Sequence, residues 1–372
     1  MTFRERIIAT FKKERIDKVV WQPRLEHWYN VSCVRGTIPK EYKDKTIFEI
    51  YDDLDASPRY YYGASTDISL REGFLKISYR KGATVQKVKE KEDTYLIYKS
   101  PKGNLTAKMV SGEWGCSWHY SEFPVKKISD LEILEYVLKN TVVEFNYDFY
   151  QEAENTLGER GISQFYFDRS PLQNLFLQYM GIENTIYAMN DHPKRIKEFI
   201  KTADEAHDQM YEVLGKCPVS VLNFGENIDA RFDTPRFFNE YLVPYYKKRL
   251  APLHKAGKFC HIHMDGAIKP LLPYINDGGF DAIEAATPLP QGDVTLEELK
   301  DAMGDTILLD GIPAVLFLPE FSYEELEKCA RDVIDLFSPN LILGISDEIS
   351  PVGEIEKVRF VSKLIGNQKV YK

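Results

Sequence analysis

Disulfide chemistry, basic patches and long apolar runs are all scarce in this sequence. Its 372 residues hold five cysteines, at 33, 116, 217, 260 and 329, with no CxxC spacing among them. An odd number at wide spacing argues against a disulfide framework. No run reaches the roughly 20 apolar residues that span a bilayer. The first 17 residues are charged throughout and lack an apolar h-region, so no secretory signal is expected. The net charge is −9, with acids and bases interspersed, which argues against nucleic acid and membrane surfaces as partners. A reduced cytoplasm is the expected compartment. Familiar catalytic signatures are missing too. There is no GxSxG elbow, Walker loop, kinase signature or HExxH, and no GxGxxG after the first strand.

What is present is a pattern of alternating strands and helices. Thr2-x-x-Glu5 is a capping box that opens a helix over Thr2–Lys13, and the run Val19–Pro23 reads as a short strand. A second strand is expected at Arg59-Tyr-Tyr-Tyr62. From about 73 to 121 the period changes to two, with alternating runs at 83–91, 94–99 and 104–110 and turns at Glu92-Asp93 and Ser100–Gly103. This predicts an antiparallel meander inserted in the chain. Ser129-x-x-Glu132 opens a further helical stretch. Strands are then expected near 163–167, 219–224, 259–263, 282–285, 306–310 and 342–345, with helices between them. Eight strands alternating with helices predict an α/β fold, a (β/α)8 TIM barrel, forming one domain over 1–372 with the β insertion at about 73–121. A doubly wound open sheet is the alternative.

One stretch concentrates chemistry: Lys258-Phe-Cys-His-Ile-His-Met-Asp-Gly266. Alternate side chains of a strand share a face, so His261, His263 and Asp265 point one way and Cys260, Ile262 and Met264 the other. In a barrel, function collects at the C-terminal ends of the strands. Those ends read Arg24, Asp168-Arg169, Glu226, His263–Asp265, Glu284, Asp310 and Asp347-Glu348. Any one of these could be a solvated loop charge, and the two histidines could be hydrogen-bonded core groups. Imidazole and carboxylate together also suit a divalent metal such as Zn²⁺ with one open position. Glu226 and Asp347 could instead serve as a general acid and base, as in glycosidases. The segment Arg24–Asn30 and the aromatic run Trp114–His119 are candidates to contact a ligand or cover it.

The stretches His261–Pro273, Gly278–Glu284, Gly304–Pro313 and Leu343–Pro351 together resemble the uroporphyrinogen decarboxylase superfamily. The resemblance spans nearly the whole chain except the meander, and implies a (β/α)8 barrel. The superfamily has two chemistries, metal-free decarboxylation of uroporphyrinogen and zinc-dependent methyl transfer involving a corrinoid protein or a thiol. The decarboxylases carry an Arg-Gln-Ala-Gly-Arg type segment. Here that stretch is Pro23-Arg-Leu-Glu-His-Trp-Tyr-Asn30, with one arginine.

The methyltransferase pattern is closer. His263-Met-Asp-Gly266 falls where that branch has His-x-Cys-Gly, and Asp347 falls where it has a distant cysteine. The resemblance therefore implies His263, Asp265, Glu226 and Asp347 as metal ligands. Glu226, Asp347 and His261 become the catalytic candidates. Arg24, Glu26, His27, Tyr29, Trp118 and Asp168 become the candidates for substrate contact. The expected reaction is demethylation of a small methoxylated or methylated donor, with Zn²⁺ and a corrinoid (cobalamin) carried by a partner protein. Decarboxylation and a non-catalytic ligand-binding barrel are the alternatives. A homodimer is compatible with the sequence.

Overall fold

The computed structural model describes residues 1–61, 73–90 and 93–366. Seven strands form one parallel sheet: β1 (Val20–Trp21), β8 (Gln164–Tyr166), β9 (Val221–Phe224), β10 (Phe259–His263), β11 (Ala282–Glu284), β12 (Ile307–Pro313) and β13 (Leu341–Ser346). Their spatial order is β1-β13-β12-β11-β10-β9-β8. Helices connect them. The fold is therefore α/β, as expected, but among the described residues the hydrogen-bonded ladder does not close into a barrel.

The expected eighth strand is the reason. Among its described residues, Arg59–Tyr61, no strand forms, and its last residue, Tyr62, lies outside the described part. The segment instead occupies the seam between β1 and β8. The Ser57 N–H donates to the Trp21 carbonyl at 2.8 Å, and Gln164 Nε2 donates to the Arg59 carbonyl at 3.0 Å. Pro58 has no N–H to give a ladder, and the Arg59 side chain turns into the interior, where it is fully buried.

The N-terminal helix Phe3–Phe11 carries the Thr2 capping box. Its Ile7 and Phe11 pack on Val20, Ile162, Val221, Ala282, Ile307 and Ile342, plugging the sheet interior from below. Cys260, Ile262 and Met264 join the larger core on the other face of β10, beneath the helices. This is the alternation that the period of two dictates. At Ser129 the expectation needs correcting. Asp130 precedes the helix Leu131–Lys139, and its carboxylate accepts from the Lys126 and Lys127 N–H groups.

The insertion is a four-stranded antiparallel sheet, β3 (Thr84–Glu90), β4 (Asp93–Ser100), β5 (Gly103–Ser111) and β6 (Trp118–Glu122). Glu92 of the first expected turn lies outside the described residues. The stretch β2 (Leu75–Tyr79) does not join this sheet. It pairs with β7 (Thr141–Phe145), which the sequence reading placed in a helix. Leu96, Tyr98, Leu105 and Ala107 anchor the insertion on Leu131, Leu134 and Ile196 of neighbouring helices. Among the described residues no helix is long and apolar enough to cross a membrane.

Candidate active site

Register sets the site. In the β10–β11 pair His263 lies beside Glu284, and in the β9–β10 pair His261 lies beside Asn223. Glu284, fully buried, becomes the hub of a polar network inside the sheet. It accepts from Arg59 Nη1 at 2.8 Å, Tyr60 Oη at 2.7 Å, His263 Nδ1 at 3.0 Å and Asn223 Nδ2. Arg59 also donates Nη1 to Asp310 at 2.9 Å, and its Nε to Gln22 at 3.1 Å. A buried carboxylate survives only when paired and hydrogen-bonded. Burial pushes the Glu284 acid upward, but the His263 hydrogen bond and the Arg59 charge hold it well below the usual carboxylate range.

His263 and His261 differ sharply. Burial works against charge on His263, yet Asp347, Asp265 and Glu284 outweigh it and raise its pKa well above the ordinary imidazole value. With Nδ1 on Glu284, its Nε2 faces Asp265 Oδ2 at 3.7 Å and Asp347 Oδ1 at 3.9 Å. His261 lies one layer deeper, fully buried, with Nε2 on Gln164 Oε1 at 3.2 Å. Burial lowers its pKa to about 4, so it is neutral. Its Nδ1 is 3.7 Å from Glu284 and unpaired. His261 thus sits in the interior, away from the mouth where it was expected to act.

A cavity of about 1100 Å³, which Asp265 beside His263 lines, is walled on one side by the strand exits and on the other by the inserted sheet. Arg24, Glu26, His27, Trp118 and Asp265 line it. Arg24 pairs with Asp347 and reaches Glu348 at 3.9 Å. Gly266 closes the edge. A Cβ there would stand 2.3 Å from Asp229 Cγ, so only glycine lets Asp229 pack against the strand exit.

Three expected site residues are elsewhere. Glu226 is fully buried and accepts from the Ser170 N–H at 2.8 Å and Oγ at 2.6 Å. Burial pushes its pKa up to about 7. Asp168, also buried, accepts from Asn174 at 3.0 Å and faces His207 at 3.3 Å. The Tyr29 hydroxyl donates to the Lys45 carbonyl at 3.2 Å. Neither Asp168 nor Tyr29 lines the cavity.

The expected zinc set is not assembled in this arrangement. Zinc at about 2.0–2.1 Å from N and O ligands needs donors turned onto a common point. Among the described residues no group of three histidines, cysteines or acids is so arranged. The reason is local. Asp347 is engaged by the Arg24 guanidinium, Glu226 is committed to Ser170, and His263 Nδ1 is held by Glu284. Beside the cavity-lining Asp265 lies the buried His263 imidazole, held through Nδ1 by Glu284 and flanked by Asp265 and Asp347.

Sequence reasoning missed Arg59, Tyr60 and Asn223, which hold Glu284. The only sequence signal was an arginine directly before three tyrosines, and it was absorbed into a strand assignment.

A parallel α/β sheet with an acid–imidazole cluster at the carboxyl ends of its strands is the arrangement in which enzyme sites of α/β folds form. The chain belongs to the uroporphyrinogen decarboxylase (URO-D) family, whose model matches residues 168–367. Among solved structures, a methyltransferase from Methanosarcina mazei is similar over 98% of this chain and 98% of its own, with TM-score 0.61 and 12% identity. A B12-independent methionine synthase from Shewanella sp. W3-18-1, solved in complex with selenomethionine, covers 86% of this chain and 84% of its own at TM-score 0.45 and 12% identity. At these identities the likeness is one of fold. No curated protein matches the sequence.

Proposed function

We propose that the chain is a methyltransferase of this family that removes a methyl group from a small methoxylated or methylated compound. The observation that carries the reading is His263, fixed through Nδ1 by Glu284, with Nε2 facing Asp347 and the cavity-lining Asp265, acids that raise its pKa well above the ordinary imidazole value. As the methyl–heteroatom bond breaks, its electron pair stays on the oxygen or nitrogen. His263 Nε2 delivers a proton there, and the product leaves as an alcohol or amine. A positioned general acid contributes about 10²–10⁴ in rate. The corrinoid of a partner protein, when bound, supplies the nucleophile that accepts the methyl group. Glu284 fixes the ring orientation, and Asp265 and Asp347 keep the imidazole charged. No step needs a metal ion.

Two further features support this reading over decarboxylation of a uroporphyrinogen. The cavity is lined by four basic residues, Arg24, Lys87, Arg169 and Arg231, and four acids, Glu26, Asp229, Asp265 and Glu348. A substrate with many carboxylates would meet as many acids as bases. The fold is also one that a methyltransferase from Methanosarcina mazei uses over its full length, so it accommodates this reaction.

The test is to incubate the purified protein with a panel of methoxylated and methylated compounds and free cob(I)alamin. Formation of methylcobalamin is expected. Release of CO₂ from uroporphyrinogen, with no methyl transfer from any compound, would select decarboxylation instead.

A further inference from the structure

The tip of the inserted sheet contains an unusual tryptophan. Trp114 has φ +70°, in the left-handed region that bulky residues rarely adopt. Its ring is 45% exposed, so core burial does not account for it. What it does meet is Arg35, whose guanidinium carbon lies 4.8 Å from the ring centroid. Arg35 ends the helix Glu26–Arg35, and Glu26, His27 and Asn30 of that helix wall the cavity. On the other side, Cys116, Ser117, Trp118 and His119 follow Trp114 directly and form the facing wall. The pair therefore joins two walls of one cavity at its rim.

The tip is built to hold a shape of its own. The Gly112 N–H donates to the Ser117 carbonyl at 2.8 Å, and a Cβ on Gly112 would stand 2.2 Å from Ser117 Oγ. The loop is thereby drawn tight. Its root is fixed by the apolar anchor on the helix Leu131–Lys139. Between root and tip the β5–β6 ladder shifts register at Lys108/Met109, a bulge of the kind that bends a strand.

We infer that Arg35 and Trp114 form a latch that holds the inserted sheet closed over the cavity, and that releasing it opens the route for ligands. An exposed cation–π contact is weak enough to open and close readily. The inference concerns access to the cavity and holds whatever reaction occurs there.

Thiol labelling of the full chain tests it. Cys116 lies in the wall behind the latch and is partly covered, whereas Cys33 is exposed and serves as an internal reference. Peptide mapping after timed maleimide treatment gives both rates. Arg35→Ala and Trp114→Ala are expected to speed Cys116 labelling by about two- to fivefold, the loss of one exposed cation–π contact. Cys33 should keep its rate in Trp114→Ala, and Arg35→Lys, which retains the cation, should resemble the parent. Equal Cys116 rates in all four proteins would overturn the latch. So would a parallel rise at Cys33 in Trp114→Ala, which would signal general loosening.

Discussion

The chemistry of this protein turns on which charges sit unaccompanied and which do not. Arg59 stands fully buried between Glu284 and Asp310, so one guanidinium compensates two interior acids with help from His263. Removing one partner of such a set strands the others. Arg59→Met is expected to cost about 3–5 kcal/mol in a denaturant titration. A loss below about 1 kcal/mol would mean that the network is not held by this residue. Asp233 gives a prediction in pH. It is buried, accepts from Gln173 Nε2 at 2.6 Å, and burial pushes its pKa up from the ordinary carboxylate range to about 8. The folded form therefore keeps a proton that the unfolded chain has lost. Its contribution to stability is present at low pH and is lost as pH rises through about 8. Asp233→Asn keeps the same acceptor for Gln173. It should flatten the fall in melting temperature between mildly acidic and mildly alkaline buffer. An unchanged slope would contradict the assignment.

At the scale of elements, the strand β13 is shaped to let the interior network form. A Cβ on Gly344 would lie 2.3 Å from Asp310 Oδ1 and 2.9 Å from the Gln22 carbonyl. Gly344→Ala should therefore displace the Arg59–Asp310 pair and cost about 1–3 kcal/mol, the range for overpacking. Full retention of stability by calorimetry would show that the strand can yield. Much at this scale was legible in the sequence. The period of two around Ile262 assigned both faces of β10, and Thr2 opens the first helix with its capping box. The seam was not legible. Arg59 and Tyr60 have the composition of a strand, and only the three-dimensional position of Glu284 shows why they leave the ladder. The pairing of β2 with β7 was hidden for a related reason. Partners more than sixty residues apart carry no local signal, so β2 read as the start of the meander.

At the scale of the molecule, a parallel sheet places His263 beside Asp265, which lines a cavity that the inserted sheet roofs over. His263, Asp265 and Asp347 were legible as a group because a strand alternates and because the stretch resembles the URO-D family. Their electrical state was not. It depends on Arg24 reaching Asp347 and on Glu284 reaching His263 across 323 and 21 residues of chain respectively. The account makes this imidazole a proton donor in methyl transfer, independent of a metal ion. The most direct test is the rate of methylcobalamin formation by chelator-treated wild-type protein and by His263→Gln, with the best methyl donor from the panel. The account predicts undiminished wild-type activity after chelation and a loss of about 10²–10⁴ in the variant. Activity that disappears with chelation and returns with added zinc, or a variant as active as the wild type, would contradict it.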